Sequence, residues 1–174
     1  MIYYNINGIV VRDMVESDPQ VILAAEHAQG WTHQKIEKYT QRLTDVAAGK
    51  CVALVAEYQG NVAGYFNVYR SGTVGPFAGT DIPELVDLGV FMKYRKHGIG
   101  EVLMQVAEIV ARKWNNVCCI GVGLHRDYGA AQRMYVKRGF IPDGTGVWWN
   151  GRPVEPYADM KNDDEAAIYF TKKL

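Results

Sequence analysis

The apolar residues at positions 9, 10, 11 and 14 form a short run that reads as a strand. Ser17-Asp18-Pro19 after it is a helix start, with proline in the first turn. That helix should run to Gly30. Thr32 is placed to cap a second helix through Ala48, whose end is marked by Gly49 and the basic Lys50. Residues 51–58 and 62–69 are rich in β-formers and are split by Gln59-Gly60-Asn61, so they should pair as an antiparallel hairpin. Residues 71–83 hold Gly72, Gly75, Pro76, Gly79 and Pro83 and read as an exposed loop able to close over a substrate. Residues 85–92 are again strand-like. From Ile99 to about Trp114 the apolar positions 102, 103, 106, 109 and 110 keep the helical period. A strand at 117–122, a helix at 130–138 closed by Gly139, and a last strand at 166–170 complete the pattern.

Antiparallel strands alternating with helices predict an α/β fold: a mixed, mostly antiparallel twisted sheet with helices on both faces, in one domain spanning 1–174. The length is sufficient for one core without staples. Nineteen basic and nineteen acidic side chains give a formal net charge of +0, so no positive field exists to hold nucleic acid. The three cysteines, two of them adjacent in an apolar stretch, suit buried thiols in a reducing compartment and point to the cytoplasm. Their spacing is not that of a metal site. No apolar run approaches the roughly 20 residues of a membrane span, and the N-terminus does not read as a secretion signal.

Chemistry concentrates at one turn. Between the strand ending at Met92 and the helix opening near Gly98 lies Lys93-Tyr94-Arg95-Lys96-His97-Gly98-Ile99-Gly100. A helix N-terminus carries unpaired N–H groups and a partial positive charge, so such a turn can wrap a diphosphate with main-chain donors. Glycine lets the phosphates come close, and Arg95, Lys96 and His97 can add charge-assisted bonds. Position 103 is Leu103, which excludes the dinucleotide fingerprint G-x-G-x-x-G. The absence of a following Gly-Lys-Ser/Thr excludes the Walker loop.

Arg95-x-x-Gly98-x-Gly100, after Leu88-Gly89-Val90-Phe91-Met92, resembles motif A of the GNAT N-acetyltransferase superfamily. Ala131 to Phe140 is similar to that family's A-x-x-x-Y-x-x-x-G-F segment. The resemblance covers about residues 9–173. It implies that residues 95–100, Ile99 included, bind the pyrophosphate of acetyl-CoA as co-substrate, with no metal. It also implies that the main chain of Val90, Phe91 and Met92 pairs with the pantetheine arm, and that Ala131 and the residue at 128 contact the cofactor. Many members carry asparagine at that position; here it is Tyr128.

Acetyl transfer to an amine needs a neutral amine, a polarised carbonyl and a proton for the departing thiolate. By resemblance Tyr135 supplies that proton. Glu84 is the first candidate base, with Asp87 and His125 as alternatives. The acceptor, a small amine or a peptide amine, should meet Gly30-Trp31-Thr32-His33, the 71–83 loop, and Trp148 and Trp149. Tryptophans of this kind also serve as core or as a homodimer face. The second function class open to such a chain is an acyl-CoA sensor that binds without turnover.

Overall fold

The computed structural model describes residues 1–174. Along the chain run β1 (Ile2–Ile6), β2 (Ile9–Asp13), α1 (Asp18–Ala28), α2 (Ile36–Ala47), β3 (Cys51–Tyr58), β4 (Asn61–Tyr69), β5 (Glu84–Val90), α3 (Ile99–Arg112), β6 (Val117–Gly123), α4 (Gly129–Lys137), β7 (Ile141–Trp149), β8 (Arg152–Pro153) and β9 (Ala166–Lys173). The sheet is mixed and mostly antiparallel, as the element pattern predicts. The chain divides into two compact units, Met1–Tyr69 with Val86–Val110, and Arg70–Leu85 with Ala111–Leu174.

In the first unit the strands lie in the order β1-β2-β3-β4-β5. β1 is an addition to the expected pattern. It turns into β2 through Asn7-Gly8, whose φ angles of 54° and 77° are the two positive values that a tight two-residue hairpin demands. Ala53 and Val55 on β3 and Tyr65 on β4 face one way and pack with Ile22 of α1, Tyr39 of α2 and Phe91. Alternation turns Leu54, Ala56, Phe66 and Val68 to the other face, where they too are buried, and α3 carries the buried stripe Ile99, Leu103, Val106, Ala107 and Val110. On α1 Asp18, Ile22 and Glu26, spaced four residues apart, are buried, with Pro19 beside the first of them. Asp18 is satisfied by the Arg12 fork at 2.7 and 3.0 Å and by the Val15 N–H at 2.6 Å. Helix α2 begins at Ile36 instead of following Thr32; its N-cap residue, Lys35, is extended and gives no side-chain cap.

In the second unit β6 pairs antiparallel with β9, β9 with β7, and β7 with β8. The parallel pairing of β5 with β6 is confined to Glu84 opposite Cys119 and Leu85 opposite Ile120. Strand β7 escapes the sequence pattern because Gly144 and Gly146, at φ 85° and 83°, interrupt its alternation, and its register skips between Pro142 and Val147. Cys118 and Cys119 are buried, free thiols.

One close approach in the first unit is testable. A Cβ on Gly64 would lie 2.5 Å from the Gly89 carbonyl oxygen and 3.3 Å from the Val90 Cα, so only glycine lets β4 meet β5 here. Gly64→Ala should cost about 1–3 kcal/mol, read as a lower urea midpoint. The control is Gly129→Ala at the start of α4, where a Cβ meets nothing within 4 Å and no positive φ opposes it. Equal midpoints for the two variants would refute the close approach.

Candidate active site

The basic turn in the first unit has an unusual backbone. Arg95 has φ −66°, Lys96 +66° and Gly98 +80°, while His97 between them is not in the positive region. Alternating signs of φ turn successive N–H groups toward one side and make an anion-binding concavity. Gly98 then gives its carbonyl to the Val102 N–H at 3.1 Å, which starts α3 and leaves the N–H groups of its first turn outside the helix ladder. A Cβ on Gly98 would meet nothing within 4 Å, so the space over the turn is open. Lys96, at a positive φ without being glycine, carries strain of about 1 kcal/mol or more. Ile99 is buried beneath the turn and anchors it.

The basic side chains are partly engaged. The Arg95 Nε donates to the Val90 carbonyl at 3.3 Å, and its guanidinium lies 5.9 Å from the centre of the Trp31 ring. The His97 ring sits 4.7 Å from Tyr58, with Nδ1 3.0 Å from the Arg95 carbonyl. Phe91 and Met92 already donate their N–H groups, to Ala63 O at 3.0 Å and to the Gln29 side-chain oxygen at 2.8 Å. The backbone concavity and the helix start together offer main-chain donors to an anion, with room over Gly98.

Sequence reasoning missed the most deeply buried carboxylate of this unit. The Glu26 carboxylate is closed off from solvent and accepts a hydrogen bond from Tyr39 and another from Tyr65 at 2.5 Å. The signal was available: Glu26 occupies a core position of the α1 period, four residues after Ile22. Beside it, Lys38 Nζ lies over the Tyr39 and Tyr65 rings and 3.3 Å from Asp87, which Arg42 also binds at 2.7 Å. Asp87 has φ 59° in the middle of β5. One of its oxygens faces Lys38 and the other Arg42.

In the second unit Tyr135 of α4 is buried, its ring 6.0 Å from Phe140. Burial raises its pKa above the ordinary phenol value. Gly139 at φ 88° closes the helix, and the Phe140 N–H returns to the Tyr135 carbonyl at 3.0 Å. Tyr128 stands at the start of α4 with its ring against Gly123, where a Cβ would come within 2.4 Å. Its hydroxyl donates to Asp164 at 3.0 Å, and His125 meets the same carboxylate oxygen at 2.9 Å. Ala131 is half-buried on α4. Glu84 is buried and accepts from the Thr73 N–H and hydroxyl, both at 2.7 Å, which ties it to the 71–83 loop. Trp148 and Trp149 use their indole N–H groups on Thr145 and Asp163.

Residues 17–140 match the family model described as Acetyltransferase (GNAT) family. No protein of curated function matches the sequence. Among solved structures the chain is similar to yncA of Salmonella typhimurium, determined with its cofactor acetyl-CoA (16% identity, 96% of this chain and 94% of that one, TM-score 0.68). It is also similar to a ribosomal-protein-alanine N-acetyltransferase from Brucella melitensis (21% identity, 94% and 99%, TM-score 0.67). A third similar structure is Arabidopsis thaliana Naa50 in complex with a bisubstrate analogue, CoA-Ac-MVNAL (17% identity, 96% and 99%, TM-score 0.64).

The buried phenols make stability depend on pH in a definite direction. Burial, with Glu26 next in weight, lifts the pKa of Tyr65 well above 10.0, and burial lifts Tyr39, Tyr69 and Tyr169 as well. Burial also pushes the Cys51 thiol up from 9.0 to about 11. A group whose folded pKa is raised contributes stability in full below its unfolded pKa and loses it as pH rises toward the folded value. Unfolding free energy should therefore be level up to about pH 9, then fall, and fall more steeply beyond about pH 10. Tyr39→Phe should cost about 1–3 kcal/mol at neutral pH by taking a donor from Glu26, and should make the alkaline decline shallower. Urea titrations between neutral and alkaline pH check both; an unchanged alkaline slope would contradict the assignment.

Proposed function

Because the chain belongs to the acetyltransferase (GNAT) family, we propose that it transfers an acetyl group from acetyl-CoA to a primary amine, directly within a ternary complex. The observation that carries this reading is the turn at 95–100, whose alternating φ angles and open Gly98 offer main-chain donors to a diphosphate. The acetyl-CoA bound to yncA and the CoA-peptide conjugate bound to Naa50 support the co-substrate and an amine acceptor.

In this reading the N–H groups from Lys96 to Gly100 hold the pyrophosphate, with Lys96 and Arg95 adding charge. Phe91 and Met92 donate inside the unit, so Val90 is the residue whose main chain serves the pantetheine arm. Tyr128 and Ala131, at the start of α4, border the co-substrate. The bound thioester supplies an activated acetyl group. Glu84 takes a proton from the acceptor ammonium, directly or through water, so that the nitrogen lone pair can attack the carbonyl carbon. As the C–N bond forms and the C–S bond breaks, Tyr135 donates its proton to the departing sulfur, and the second proton that the nitrogen sheds in becoming an amide restores the phenol. The raised pKa of Tyr135 keeps that proton in place at neutral pH, so the phenol acts as a hydrogen-bond donor throughout the working range. The buried, free thiols suit the cytoplasm as the site of action.

Calorimetry with acetyl-CoA should give saturable binding for the natural chain and none for Gly98→Val, which places a β-branched residue at φ 80° and fills the open space. No heat from the natural chain at millimolar acetyl-CoA would refute the phosphate turn. A panel of amines assayed by free-thiol release then identifies the acceptor class. Tyr135→Phe should lower kcat by roughly 10²-fold or more with little change in acetyl-CoA affinity. Binding without thiol release across the panel would favour a sensor.

A further inference from the structure

Gln29, at the end of α1, is the strongest unexplained polar group near the strand end. Its side-chain oxygen accepts the Met92 N–H at 2.8 Å, across 63 residues of sequence, which orients the carboxamide. With the oxygen so placed, the amide nitrogen Nε2 is the other arm, and it is buried with no hydrogen-bond partner. A buried donor left unsatisfied costs about 1–3 kcal/mol, so a partner belongs there. Several polar groups of the neighbouring segment 91–95 are matched within the chain. Phe91 N–H has Ala63, Arg95 has the Val90 carbonyl, and the Arg95 guanidinium lies over Trp31, two residues beyond Gln29.

We infer that Gln29 is a binding residue for the acyl-pantetheine arm, its Nε2–H donating to a carbonyl oxygen of that arm. The inference rests on the acetyl-CoA reading above. The chemistry favours this ligand class because the missing partner must be a hydrogen-bond acceptor beside the strand end Val90–Met92, and amide and thioester carbonyls are the acceptors such an arm carries. Phosphate oxygens are instead the match for the N–H groups of the 95–100 turn. Gln29 also opens the connection 29–35, which holds no helix or strand. One hydrogen bond then ties the end of α1 to the Met92 main chain just beyond β5, and a second ties it to the co-substrate.

Gln29→Glu separates the two arms of the side chain. It keeps an oxygen for the Met92 N–H and replaces the donor by an acceptor that repels a carbonyl. By calorimetry its affinity for acetyl-CoA and for CoA should fall about tenfold or more. Its affinity for the coenzyme's nucleotide half, phosphorylated ADP without the arm, should stay at the natural value. Gln29→Met, which adds no charge, should show the same arm-selective loss and carries the test if the glutamate variant fails to fold. Variants that bind acetyl-CoA like the natural chain, or that lose the armless nucleotide equally, would overturn the role of Gln29 and leave the acetyl-CoA reading standing. A natural chain that binds neither acetyl-CoA nor the nucleotide would overturn both.

Discussion

A carboxylate closed off from water must be given donors, and Glu26 gathers much of the first unit around that requirement. Tyr39 from α2 and Tyr65 from β4 both turn their hydroxyls to it, so two helices and a strand are fixed by one acceptor. The consequence reaches β5. The Tyr65 ring lies where a Cβ on Gly89 would come within 2.6 Å, so the strand that leads to the turn can pass only because position 89 is glycine. Gly64 relieves the same crowding from the backbone of β4. The strand stops at Val90, short of the Met92 that its side-chain pattern predicts; that end is located by a hydrogen-bonded core behind it, and the turn opening at Met92 by Gln29 beside it.

The turn that follows owes little to the identity of its charges. Arg95 and His97 are both engaged with their own backbone or with aromatic rings, whereas the alternation of φ from Arg95 to Gly98 is what turns the N–H groups one way. Main-chain donors at a helix start cannot move away or be screened as flexible lysines are, which suits recognition of a diphosphate whatever group it carries. Asp87 shows a different use of a strained position. At its positive φ the carboxylate of Asp87 meets Lys38 at 3.3 Å and Arg42 at 2.7 Å.

Strong periodicity made most elements legible. Helix α3 follows from its buried stripe, and the β3–β4 hairpin from two runs of β-formers, buried on both faces, split by Gln59-Gly60-Asn61. The strands that escaped lack that regularity. β1 is marked only by the Asn7-Gly8 turn after it, β8 is two residues long, and β7 contains two glycines that read as breakers. The turn itself was readable because glycine and position carry the chemistry. Glu26, Gln29 and Asp164 were not, since their importance lies in partners 13 to 63 residues away that no local pattern announces.

Tyr128 shows how a departure from a family pattern can be absorbed. An asparagine at the head of α4 would offer a short amide to whatever lies before the helix, while a tyrosine is larger and must first find room. Gly123 supplies it, since any side chain there would overlap the ring. The hydroxyl, carried past the helix start by the length of the ring, reaches Asp164 in the segment before β9, and His125 joins the same oxygen. Substituting the residue therefore moves a polar contact from the head of α4 to the stretch preceding the last strand. Gly123 gives the ring its room and Asp164, at the surface, receives the hydroxyl, so the departure at 128 is matched on both sides of the ring.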